Sequence, residues 1–119
     1  MTRLVVKLTC GTEALERTNQ ALTVASSALA SGVEVSMWLT GEAVWFATPG
    51  FADTVALEGA QSFADAVSLL LAEGTLTVCS QCLSRRALDA GALIPGVRIA
   101  GAASFVEEII APDTQALVY

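Results

Sequence analysis

The apolar positions of this chain change period several times, and each change marks an element. Leu4-Val5-Val6-Lys7-Leu8 is apolar at successive positions and broken only by Lys7, which predicts a strand covered on both faces. Thr9-Cys10-Gly11-Thr12 supplies turn residues, with Thr12 placed to cap the next element. From Glu13 to Ser31, apolar residues recur at Ala14, Leu15, Ala21, Leu22, Ala25, Ala28 and Leu29, the spacing of one helical face, and Gly32 stops the run. Val33, Val35, Met37 and Leu39 then alternate with Glu34, Ser36 and Trp38, a second strand with one less buried face.

Gly41 to Ala47 reads as a short helix closed by Thr48-Pro49-Gly50, and the stretch to about Gln61 as a loop, with or without one irregular turn. Ser62 and Asp65 resemble a capping pair ahead of Ala66, Val67, Leu70 and Leu71, with Gly74 closing the helix. Thr75 to Val78 is a third strand, and Ser80 to about Ala90 a helix stopped by Gly91. Ile94-Pro95-Gly96 turns the chain into a fourth strand, Val97 to Ala100. Ser104 and Glu107 read as a capping box for a short helix to Ile110, Pro112 ends it, and Gln115 to Tyr119 is a last strand.

Strands and helices thus alternate with short connections. That order predicts a single α/β domain over residues 1–119: a five-stranded, mainly parallel sheet with helices on both faces, joined by right-handed crossovers. No internal repeat, linker or low-complexity tract interrupts it.

Composition narrows the function classes. The chain of 119 residues is 54% hydrophobic and 15% charged, which excludes disorder, yet no apolar run approaches the roughly 20 residues of a membrane span. The apolar excess points to a subunit interface, hence a homo-oligomer. Met1 to Leu8 is too short and strand-like for a secretory signal, so a cytoplasmic protein is expected. A net charge of −6 argues against nucleic-acid binding. With no histidine, a His-based triad, a His–metal site and a His general base are excluded.

The chemistry is expected in Val78-Cys79-Ser80-Gln81-Cys82-Leu83-Ser84-Arg85-Arg86. Strand, turn and helix start meet at Cys79, where unpaired N–H groups and the helix dipole favour a reactive thiolate. Cys82 lies one helical turn on, placed to resolve a disulfide or accept sulfur, with Arg86 a further turn along to favour its thiolate. Cys10 and Gly11, in the turn after the first strand, join the same crevice if the first and third strands are neighbours. Trp45 and Phe46, with Phe51, form an aromatic patch that is a crevice wall, an interface anchor or ordinary core. Ser80, which lies beside Cys79, and Ser104 read as helix caps. Three thiolates lack an obvious fourth zinc ligand, and there is no G-x-G-x-x-G or Walker pattern, so no metal or nucleotide cofactor is expected.

These features together resemble the DsrE/DsrF-like family, which includes the TusD-type sulfur-relay subunits. The resemblance runs through the first strand and turn, the Ala-rich helix ending in Gly32-Val33-Glu34-Val35, Leu39-Thr40-Gly41-Glu42-Ala43-Val44, and Val78-Cys79 leading to Leu83-Ser84-Arg85-Arg86. It implies a five-stranded parallel sheet, assembly as trimers or hexamers, and a persulfide-carrying cysteine at the position of Cys79. The leading expectation is a small sulfur carrier or sulfurtransferase with a protein sulfur donor or acceptor. The alternatives are a non-enzymatic oligomeric protein binding a ligand or partner beside Trp45 and Phe46, and a dithiol redox protein using Cys79 and Cys82.

Overall fold

The computed structural model of the chain describes residues 2–119; Met1, the first residue of the stretch read as a strand-like amino end, lies outside them. Five strands form one all-parallel sheet: β1 (Arg3–Leu8), β2 (Glu34–Leu39), β3 (Thr75–Cys79), β4 (Arg98–Ala100) and β5 (Thr114–Val118), in the order β4-β3-β2-β1-β5. The helices are α1 (Leu15–Ala30), α2 (Phe63–Glu73), α3 (Ser80–Arg85) and α4 (Ala102–Ile109). Residues Gly41–Ala47 form a 3-10 helix, and shorter 3-10 turns lie at Thr12–Ala14, Ala52–Thr54 and Ala90–Ala92.

The strand order explains how the layers form. From β1 to β4 the chain moves across the sheet in one direction, and right-handed crossovers place α1 and α2 on the same face. The β4-to-β5 connection must travel back past β3, β2 and β1, so the same handedness puts α4 on the opposite face.

Side chains alternate accordingly. Val6, Leu8, Val35, Met37, Leu39, Leu76 and Val78 point into the main core, where they meet Ala21, Leu22, Ala25, Phe63, Ala66 and Leu70 of α1 and α2. Register places Lys7 beside Trp38, Trp38 beside Thr77, and Thr77 beside Arg98, one row across the opposite face. Helix α4 covers that row: Phe105 meets Trp38 edge-on at 5.4 Å between ring centroids. The carboxylate of Glu108 accepts from Ser36 Oγ at 2.5 Å, from Trp38 Nε1 at 3.2 Å and from Arg98.

Several local expectations need correction. The alternation over Val33 to Leu39 predicted one less buried face, but both faces of β2 are buried from Val35 to Leu39, because α4 covers Ser36 and Trp38. Thr12 does not cap α1; a 3-10 turn intervenes, and the Gly11 N–H donates to the Glu13 carboxylate at 2.6 Å. Helix α3 stops at Arg85, well short of Ala90. Ala87 adopts φ 54°, and the N–H groups of Leu88 and Ala87 close onto the carbonyls of Leu83 and Ser84. Such a left-handed stop usually carries glycine, so its sequence mark was missing. Ser80 is the first residue of α3, with Cys79 as its N-cap, and Ser104 lies within α4, whose N-cap is Gly101. Other marks match: Ser62 Oγ accepts from the Asp65 N–H at 3.2 Å, and Gly32 ends α1 at φ 81°.

Candidate functional site

The carboxyl ends of β1, β2 and β3 and the start of α4 enclose a cleft of about 40 Å³ lined by Lys7, Trp38, Thr40, Cys79, Ala102 and Phe105. Small-molecule pockets are typically about 300–1,000 Å³, so this cleft suits a small group. Its place follows from the fold. Lys7, Trp38 and Cys79 point to the face that α4 covers, and Thr40 follows β2.

Cys79 ends β3 and caps α3, and its thiol is half-buried in the cleft wall. Burial pushes the thiol upward, but the N–H and thiol of Cys82, the N–H of Gln81 and the charge of Lys7 outweigh it, so Cys79 sits below its ordinary value. The thiol's contacts with those amides are looser than a full cap hydrogen bond. The lowered value raises the thiolate fraction near neutrality, and the thiolate is the nucleophile.

In the sequence Lys7 stands as a break in an apolar run. The period-2 pattern held the missing signal: a lysine between Val6 and Leu8 must face away from them. Its Nζ lies 4.9 Å from the centroid of the Phe105 ring. Among the described residues the ion pairs are Arg86–Glu42 and Arg98–Glu108, and Lys7 belongs to neither.

Cys82 is buried, its Sγ accepting from the Gly41 N–H at 3.2 Å. Arg86 does not meet that thiol: its guanidinium donates to Glu42 at 2.7 Å and to the Cys82 carbonyl at 3.0 Å, while the exposed Arg85 places Nη1 at 4.0 Å from Sγ. Strand β2 separates β1 from β3, so the convergence that adjacency would have given Cys10 does not occur. The Cys10 thiol is buried 3.6 Å from Thr18 Oγ1. Gly11 packs against the 3-10 helix after β2; a Cβ there would lie 2.8 Å from the Glu42 carbonyl oxygen. Phe46 is 0% exposed and packs against Phe51 and Phe63, and Trp45 leans on Phe51. Trp38 and Phe105, which sequence reasoning passed over, are the aromatic walls of the cleft.

The sequence pattern of the DsrE/DsrF-like family matches residues 4–114. The chain belongs to the DsrE/DsrF-like family. Two solved structures of similar fold are the YchN protein of E. coli (TM-score 0.74, 20% identity) and a protein of unknown function, MTH1491, of Methanobacterium thermoautotrophicum (TM-score 0.73, 14% identity). Each alignment covers 100% of both chains. At these identities the likeness concerns the DsrE-like fold alone. No curated protein sequence matches the chain. Among the described residues, no helix is long and apolar enough to cross a membrane.

Proposed function

We propose that this DsrE-like protein carries sulfane sulfur as a persulfide on Cys79. The observation that carries the reading is the Cys79 thiol itself, at the carboxyl end of β3, lowered in pKa and opening on a small cleft walled by aromatic rings. The thiolate attacks the terminal sulfur of a donor persulfide. The donor S–S bond breaks, its electron pair leaves with the donor thiolate, and Cys79 becomes Cys79–S–SH. Attack by an acceptor thiolate on that outer sulfur repeats the exchange and returns the Cys79 thiolate. Neither step needs a general base, which suits a chain without histidine. Polarisable sulfur packs well against aromatic rings, and Trp38 and Phe105 supply them.

Cys82 acts here through its hydrogen-bonding influence on Cys79. Its own thiol is buried and engaged by Gly41. The reading also takes the protein as a homo-oligomer. Large apolar side chains stay exposed at Ile99 of β4, Val106 of α4, Ile110, and Leu117 and Val118 of β5, and a second copy of the chain would cover them. The test is transfer. Protein loaded by a persulfide donor should pass sulfur to a small acceptor thiol, and Cys79→Ser should pass none. Equal transfer by both proteins would defeat the proposal.

A further inference from the structure

Cys79 shares its cleft with one cationic side chain, and that pairing bears on what the cleft accepts. The lining holds a single ammonium, Lys7, with two aromatic side chains, an alanine, a threonine and the Cys79 thiol. The other polar groups nearby are engaged. Trp38 Nε1 donates to Glu108, Thr40 Oγ1 donates to the Leu8 carbonyl at 3.1 Å, and Arg98 binds Glu108 and Thr77. Among the described residues Lys7 joins no ion pair, and its Nζ lies over the face of the Phe105 ring, which leaves its N–H donors available to an incoming group.

An anion approaching a thiolate is repelled, the more so in a chain of net charge −6. A cation at the point of contact offsets that repulsion, because opposite charges attract more strongly at short range in a partly buried cleft than in bulk water. The remaining surface is apolar and aromatic, suited to a soft, polarisable atom.

We propose that Lys7 makes the Cys79 cleft selective for small anionic sulfane-sulfur donors of the thiosulfate class, binding the charged end of the donor while its sulfane sulfur meets Cys79. The proposal rests on the sulfur-carrier reading and adds to it the chemistry of the donor. With thiosulfate, the Cys79 thiolate attacks the outer sulfur and the S–S bond breaks. Sulfite departs with the electron pair, leaving Cys79–S–S⁻. Three negative charges enter and three remain, no proton moves, and no external oxidant or reductant takes part. Lys7 offsets the accumulated charge throughout.

The first experiment needs no sulfur chemistry. Labelling rates at Cys79 are measured with iodoacetate, an anion, and with iodoacetamide, its neutral analogue, in wild type, Lys7→Met and Lys7→Arg. Both reagents meet the same thiolate, so their rate ratio cancels any change in thiolate fraction and isolates anion attraction. The iodoacetate-to-iodoacetamide ratio is expected to fall about tenfold in Lys7→Met and to recover in Lys7→Arg. An unchanged ratio overturns the proposal.

The second experiment compares thiosulfate with a neutral dialkyl trisulfide by intact mass. In a matched incubation thiosulfate is expected to add one sulfur atom to most of the wild type and Lys7→Arg and to only a small fraction of Lys7→Met, while the trisulfide still modifies all three. Reaction of Cys79 with the trisulfide but not with thiosulfate in wild type overturns the donor class and leaves the carrier reading standing. Modification by neither reagent brings down the carrier reading and the donor class with it.

Discussion

The Gly41 N–H donates to Sγ of Cys82 at 3.2 Å, tying the turn after β2 to the first turns of α3. The second cysteine of the C-x-x-C pair is therefore built into the wall behind Cys79. Its thiol is also among the groups that lower Cys79, so removing it raises the Cys79 pKa and reduces the thiolate fraction at a given pH. Cys82→Ala is expected to move the pH midpoint of Cys79 alkylation upward and to cost about 1–2 kcal/mol of stability. Sulfur loading at Cys79 should survive. An alkylation series across pH, paired with urea denaturation, checks both effects, and loss of loading with the fold intact would make Cys82 a direct participant.

The same joint demands glycine. Gly41 adopts φ 56°, and a Cβ there would stand 2.7 Å from the Thr9 carbonyl oxygen. Gly59 adopts φ 80° with nothing within 4 Å of the same position. Both alanine variants strain the backbone by about 1–2 kcal/mol, and only Gly41→Ala adds a clash with main chain. Gly41→Ala should therefore be clearly the less stable in thermal denaturation. Equal melting temperatures would show that the turn relaxes freely around position 41.

Phe46 separates core from site. Fully buried against Phe51 and Phe63, it is expected on Phe46→Ala to cost about 3–5 kcal/mol, with the iodoacetamide labelling rate of Cys79 unchanged under folding conditions. A rate change without loss of stability would place the aromatic patch in the chemistry after all.

Glu108 fastens α4 over the face that carries Cys79. Burial pushes its carboxyl upward, but hydrogen bonds from Ser36, Trp38 and Arg98 and the Arg98 charge outweigh that and hold it below its ordinary value of 4.5. A depressed carboxyl contributes stability that is complete above the unfolded value and is lost as pH falls through the folded one. Glu108→Gln should cost about 1–3 kcal/mol near neutrality. The gap between wild type and variant should hold down to about pH 5 and shrink below the ordinary value of 4.5. Denaturation midpoints measured from neutrality into acid read this directly, and a gap constant to the lowest pH would remove the carboxylate from the account.

Much of the architecture was legible because each element carried its own period and punctuation. Gly32, Gly74 and the Ser62–Asp65 cap mark helix ends through local backbone chemistry, and Cys79 at a strand-to-helix junction follows from the same reading. The cleft lining was harder to see because it depends on strand order. Lys7, Trp38 and Cys79 come together only because β2 lies between β1 and β3 and because α4 crosses back over them. Trp45 and Phe46 form a visible aromatic patch in the sequence, whereas Trp38 stands alone on the face that the alternation marks as less buried, and only α4 crossing that face makes it a cleft wall. The stop of α3 was hidden for a local reason, an alanine in a conformation that usually belongs to glycine.

The most direct test of the central claim is the intact mass of reduced, desalted protein after exposure to a persulfide donor, with Cys79→Ser treated in parallel. The account predicts a gain of one sulfur atom on the wild type alone, reversed by reductant. No gain, an equal gain on Cys79→Ser, or a loss of two hydrogens marking a Cys79–Cys82 disulfide would contradict it.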